Sequence, residues 1–171
     1  MSHLRPPLVC VIDVEASGFG RHSYPIEVGC VLPDGRAWCT LIRPPARWTH
    51  WDPSAEQVHG ISRELLLQHG RAAAEVAQTL NTELAGQTVY CDAWAHDYPW
   101  LAVLFDEAGC NPLFKLEPVT VLLDDLGLAR LPQAQQRALQ ALGLRRHRAS
   151  NDARALQTAL GEILQPTGTQ A

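Results

Sequence analysis

A chain of 171 residues, 46% of them apolar and 19% charged, is long enough to bury a sizeable core as one domain and too apolar to be disordered throughout. Its net charge of −4 argues against a broad basic surface for nucleic acid, but not against a phosphate chain handled through divalent cations, which invert the local charge. No apolar run reaches the roughly 18 residues of a membrane span. Residues 1–7 lack the apolar centre of a signal peptide. The five cysteines (Cys10, Cys30, Cys39, Cys91, Cys110) have no CxxC spacing, which disfavours a disulfide framework or a zinc site and points to a reducing cytoplasm.

Leu8 to Glu15, LVCVIDVE, is short and β-branched, as a buried strand requires. Gly18 and Gly20 mark a turn, after which Tyr24 to Leu32 and Arg36 to Ile42 read as two strands joined at Pro33-Asp34-Gly35. Pro44 to His59 reads as irregular. Ser62 suits a helix N-cap, and Ala, Val and Leu at helical spacing predict a helix over 71–84. Thr88 to Cys91 is a short strand and Tyr98 to Ala108 a helix closed by Gly109. Pro118 to Leu126 fits strand or helix, and Pro132 to Leu142 and Asn151 to Leu164 read as helices. A strand meander followed by alternating strands and helices implies one α/β domain over 1–171, with its core in 8–164 and a frayed tail at 165–171.

Asp13 and Glu15 lie two apart at the carboxyl end of the first strand, so both carboxylates project from one face. Like charges that close are costly without a cation or proton between them, and ligands of α/β sheets gather outside the carboxyl ends of the strands. Asp97 precedes an apolar helix, where it would also serve as an N-cap, and Asp92, just after the fourth strand, is the competing acid. Arg145, Arg146 and Arg148 flank His147, and Asp152 opens the last helix, where an acid also suits the helix dipole. Four carboxylates from three distant segments, with one histidine, are the donor set that two divalent cations need to act on a phosphodiester.

These residues resemble the motifs of a known family. Asp13-Val14-Glu15-Ala16-Ser17-Gly18 is similar to DxExTG, Ile26-Glu27-Val28-Gly29 to the IEIG strand, and His59-Gly60-Ile61 to the HGI loop. Asp97-Tyr98-Pro99-Trp100-Leu101 resembles DxxFL, and His147-Arg148-Ala149-Ser150-Asn151-Asp152 matches HxAxxD. Five motifs in order over about 8–164 resemble the His-bearing DEDD (DnaQ-like) 3′–5′ exonucleases. That likeness implies an RNase H-like fold, with a mixed five-stranded sheet and helices on both faces.

By matching positions, the resemblance implies Asp13, Glu15, Asp97 and Asp152 as ligands of two divalent cations, Mg²⁺ or Mn²⁺. His147 would be the general base, histidine being the side chain whose ordinary titration range suits proton transfer near neutrality. The backbone around Ser17-Gly18 and the loop His59-Gly60-Ile61 would hold the terminal nucleotide. The implied substrate is the 3′ end of single-stranded RNA or DNA, the product a 5′-mononucleotide, and the implied assembly a homodimer; no membrane partner is expected. The last helix falls close to the end of the sequence, which favours a stand-alone enzyme over a polymerase-bound subunit. Ala93 and His96 stand where the family carries an Asn and an aromatic residue, and Ala16-Ser17 where Thr-Thr is common. These departures bear on substrate preference more than on chemistry. His96 reads as a surface histidine, Trp100 as core, and Trp94 and Tyr98 as nearer the cleft. Two other classes fit the same residues: a non-catalytic nucleic-acid-binding module of this fold, and a metallohydrolase of small phosphoesters.

Overall fold

A computed structural model describes residues 8–165, so the N-terminal residues 1–7 and most of the expected frayed tail, 166–171, lie outside the described residues. Three strands, β1 (Cys10–Ala16), β2 (Pro25–Val31) and β3 (Ala37–Arg43), form an antiparallel meander. After it come α1 (Pro53–His59), α2 (Arg63–His69), β4 (Arg71–Ala72), α3 (Ala73–Leu84), β5 (Thr88–Cys91) and α4 (Trp94–Ala108). The described residues continue with β6 (Lys115–Pro118), a 3₁₀ turn at Val119–Val121, α5 (Asp125–Leu142) and α6 (Ala149–Leu164). The sheet order is β4-β3-β2-β1-β5-β6, with β5 parallel to β1 and to β6.

The sheet therefore has six strands, not the expected five. The additional one is β4, at the edge of the sheet, where Arg71 and Ala72 pair with Ile42 and Arg43 of β3. That pairing takes two residues with helical propensity out of the helix expected over 71–84, an override of local preference by tertiary context. The segment 44–59 is not wholly irregular: the Asp52 side chain accepts from the Ser54 N–H and Pro53 opens α1. Likewise α5 begins seven residues before Pro132, because Asp124 caps it by accepting from the Gly127 N–H. The undecided stretch 118–126 is the end of a strand, then a 3₁₀ turn, then the start of α5.

β2 is buried at all seven positions, as a central strand covered on both faces must be. On one face Ile12, Val14, Ile26 and Val28 pack with Val76, Leu80, Leu104 and Phe105 of α3 and α4. On the other, Val11 and Val31 pack with Leu131 and Ala134 of α5 and with Leu156 and Leu160 of α6. Each such aliphatic side chain withdrawn from water stabilises the fold by about 1.5–3 kcal/mol. Asp13 and Glu15 lie on the second face with Val11, so the end of α6 that approaches the sheet determines what they meet.

Gly29 sets that approach. It pairs with Asp13 in the sheet, and a Cβ at this position would stand 2.5 Å from the Ser150 nitrogen and 2.6 Å from the Ala149 carbonyl carbon. Only a glycine lets the first turn of α6 rest directly on β2. Further along α6, the buried Gln157 side-chain amide donates to the carbonyls of Val9 and Leu32, pinning the helix to both central strands.

Candidate active site

The carboxyl end of β1 is where three elements meet. β1 supplies Asp13 and Glu15, the first turn of α4 supplies Asp97, and the loop before α6 with its first turn supplies His147 and Asp152. All five line one cavity of about 300 Å³, together with Phe19, Asp92, His96, Trp100, Gln135 and Arg146. Ligand atoms of Glu15, His147 and Asp152 lie within 4.8 Å of one another, and so do those of Asp13, Asp92 and Asp97.

Asp97 is not an N-cap. α4 begins at Trp94, with Ala93 as a cap that makes no side-chain hydrogen bond, and this puts Asp97 inside the first turn. Its carboxyl is 1% exposed and its Oδ2 has no hydrogen-bond partner. A buried carboxylate oxygen without a donor is costly, and it needs a proton or a cation. Asp152 turns back on its own helix, where Oδ2 accepts from the Arg148 N–H at 3.0 Å.

The loop that carries His147 is strapped to β2. Glu27, directly opposite Glu15 in the sheet and 2% exposed, accepts from the Arg148 guanidinium at 2.8–3.2 Å and from the Ala149 N–H at 2.9 Å. His147 itself adopts φ 63°, a left-handed conformation uncommon for a side chain of its size, which turns it off the helix axis at the entrance to α6. Arg148 is thus a structural residue of this loop, and Arg146 is the member of the arginine cluster that lines the cavity.

The crowding of acids sets their protonation. Burial, and then the neighbouring Asp152 and Glu27 carboxylates, push Glu15 up to about 8. Burial, then Asp92, push Asp97 up to about 8. Asp13, surrounded by Asp97, Glu15, Asp152 and Asp92, is held well above the ordinary carboxylate range, chiefly by burial. Asp152 is raised by burial as well. Groups of this kind fit divalent cations: oxygen donors converge in two groups, and one of them includes Asp97 with its orphaned oxygen.

The residues expected to hold a nucleotide lie to one side. Ser17 is fully buried, its Oγ hydrogen-bonded to His50 Nδ1 and accepting from the Tyr24 N–H. His59 is 3% exposed, its Nδ1 accepts from the Ile61 N–H, and Ile61 belongs to the core. Gly18 adopts φ 146° where the chain leaves β1, and Gly60 sits with the Arg145 guanidinium beside it. None of these residues lines the cavity of the acids, and the buried His59 Nε2 has no hydrogen-bond partner.

The aromatic residues are arranged differently from the sequence-based expectation. Trp94 and Tyr98 stack on each other with centroids 4.9 Å apart, and Tyr98 lines a separate apolar cavity between α4 and β6. The site is edged instead by Phe19, which is 67% exposed and packs against His96 and Trp100 at 5.0 and 5.9 Å. Trp100 is 9% exposed and donates from its indole nitrogen to Ser23 Oγ, so it is core on one side and cavity wall on the other. Gln135 and Phe19 carried no local sequence signal: one is a polar residue on the face of a long helix, the other follows a glycine in a turn.

No protein-family model matches the chain, and no curated protein matches it. Solved structures do. A complex of E. coli Exonuclease I with a dA16 oligonucleotide superposes with a TM-score of 0.69 at 13% identity, over 93% of this chain and 40% of that one. Exonuclease I from the moderately thermophilic Methylocaldum szegediense gives 0.65 at 17% identity, over 91% and 39%. The zinc-bound form of the E. coli ExoI–ssDNA complex gives 0.67 at 14%, over 91% and 39%. The chain spans about two fifths of the length of these neighbours. No helix among the described residues is long and apolar enough to cross a membrane. The mixed sheet, its helical layers and its strand order thus form the RNase H-like fold shared with Exonuclease I.

Proposed function

We propose that this protein is a metal-dependent 3′–5′ exonuclease that removes 5′-mononucleotides from single-stranded RNA or DNA. The observation that carries this reading is the meeting of two cation-competent groups, Glu15/His147/Asp152 and Asp13/Asp92/Asp97, in one cavity at the carboxyl end of β1. Asp13, Glu15, Asp97 and Asp152 would hold two divalent cations, Mg²⁺ or Mn²⁺, which supply activation of a water and charge to offset the departing oxygen. His147 accepts the proton of the attacking water. The oxygen of that water bonds to the terminal phosphorus as the bond to the 3′ oxygen of the preceding nucleotide breaks. A proton from solvent completes the new 3′ hydroxyl, and the released nucleotide keeps the phosphate at its 5′ position.

The Glu27–Arg148 strap fixes the His147 loop, and the raised carboxyls would have to give up their protons to hold cations. Backbone atoms of Ser17-Gly18 and of His59-Gly60-Ile61 are the proposed cradle of the terminal nucleotide. Phe19 at the cavity edge favours a polymer over a small phosphoester, because an exposed ring can stack a base for about 1–3 kcal/mol. The test is a gel assay on 5′-labelled RNA and DNA of one sequence, with Mn²⁺, Mg²⁺ or EDTA. The expected result is a metal-dependent ladder shortening from the 3′ end, absent in Asp13→Ala. Cleavage of a nucleotide monoester analogue with no ladder on either polymer would support the small-phosphoester reading instead.

A further inference from the structure

Asp92 is a fifth acid in the cavity, and nothing in the fold accounts for its position. It is exposed, just ahead of α4, where an aspartate ordinarily caps a helix, yet the cap residue is Ala93 and Asp92 caps nothing. It forms no ion pair among the described residues. Its Oδ2 instead accepts a hydrogen bond of 2.7 Å from the Gln135 side-chain amide, 43 residues away on α5. The result is a carboxylate held within 4.8 Å of Asp13 and Asp97, against the electrostatic repulsion it exerts on both. The second independent observation is the orphaned Oδ2 of Asp97, a member of this same group, 1% exposed, whose oxygen has no donor to meet it.

We infer that Asp92, Asp13 and Asp97 form a three-carboxylate site for one divalent cation, and that Gln135 is a positioning residue which holds Asp92 in it. The inference rests on the cation-dependent reading above and adds a ligand and its support to it. The three donors are oxygens only, which selects a hard cation such as Mg²⁺ or Mn²⁺. The hydrogen bond from Gln135 orients the carboxylate and takes one of its lone pairs, the service that outer partners give to metal ligands.

The test is calorimetric titration of Mn²⁺ into cation-stripped wild type, Asp92→Asn, Gln135→Leu and Asp13→Asn, with urea midpoints in EDTA for each. Asp92→Asn should weaken one class of site by about 10–100-fold and leave the other, and Gln135→Leu should shift the same class in the same direction by less. Neither should lower the urea midpoint, and Asp92→Asn, which relieves carboxylate repulsion, should hold or raise it. Wild-type Mn²⁺ affinity in Asp92→Asn, with loss in Asp13→Asn, would overturn the role of Asp92 while leaving the exonuclease reading intact. Wild-type affinity in Asp13→Asn as well would remove the cation site altogether and both readings with it. If Asp92→Asn lowers the urea midpoint, Gln135→Leu decides alone, and an unshifted affinity there overturns the inference.

Discussion

His147 and Asp13 share a cavity but differ in what their loss should do. Asp13 adjoins both acid groups, so Asp13→Ala should abolish turnover and reduce cation binding together. His147→Ala removes a proton acceptor and should lower kcat by about 10²–10⁴-fold, with cation binding nearly intact. Calorimetry beside kinetics checks both, and equal loss of cation binding in the two variants would make His147 a ligand and not a base. Of Arg145, Arg146 and Arg148, only Arg146 lines the cavity, while Arg148 is committed to Glu27. Replacing all three would therefore confound substrate contact with loop structure. Arg146→Gln in the His147→Ala background should weaken oligonucleotide binding and reduce its salt slope by about 0.7, the value for one phosphate contact on a single strand. Fluorescence anisotropy across a salt series measures both, and an unchanged slope would assign Arg146 to a solvated loop.

At the scale of the element, the site depends on how closely α6 approaches β2. Gly29→Ala would put a methyl group 2.5–2.6 Å from the backbone of Ala149 and Ser150, atoms that cannot turn aside as a side chain would. Overpacking of this kind costs about 1–3 kcal/mol, and here it displaces the turn that carries His147 and Asp152. The expected outcome is a lower urea midpoint with a loss of kcat larger than the fraction unfolded explains. A variant with wild-type kcat would show that the first turn of α6 can shift without harm to the site. The alternation of Asp13 and Glu15 was legible as a strand pattern, because the two-residue period of a strand decides its faces locally, whereas the pairing of Gly29 with Asp13 is a matter of register between strands. The start of α4 was not. Asp97 before Tyr98-Pro99 looks like a cap, and only the start of the helix at Trp94, with Asp97 and Trp100 buried, places it inside the first turn.

Across the whole molecule, the acids at the end of β1 couple protonation to stability and, on the proposed reading, to cation binding. Glu15 and Asp97, pushed up to about 8, hold more protons in the folded than in the unfolded chain between the ordinary carboxylate range and pH 8. Their contribution is complete below the ordinary range and is lost as pH rises through about 8, at a slope of up to about 1.4 kcal/mol per pH unit for each group. In EDTA the melting temperature should therefore fall from pH 5 to pH 9, and millimolar Mg²⁺ should suppress that fall. Calorimetry at pH 7 in buffers of different ionisation enthalpy should register protons released on cation binding. A melting temperature that rises through this window in EDTA would contradict the crowding of carboxylates. The net charge of −4 has a partial account in this cluster, whose acids the proposed cations would offset.

The sequence by itself determined the central strands, the pair Asp13 and Glu15, and the order in which Asp97, His147 and Asp152 follow them, since strand period and short motifs are local properties. It also carried the α/β class and its resemblance to an RNase H-like fold. The tertiary structure decided the rest. Two edge residues, Arg71 and Ala72, became a sixth strand because β3 offered free backbone groups. Arg148 turned inward to Glu27 because a buried carboxylate requires a donor. Asp92, Gln135, Phe19 and His96 joined the cavity because α4, α5 and the turn after β1 converge on one end of β1. Contacts between residues tens of positions apart arise when the two core layers close on the sheet, so no pattern within a single segment can encode them.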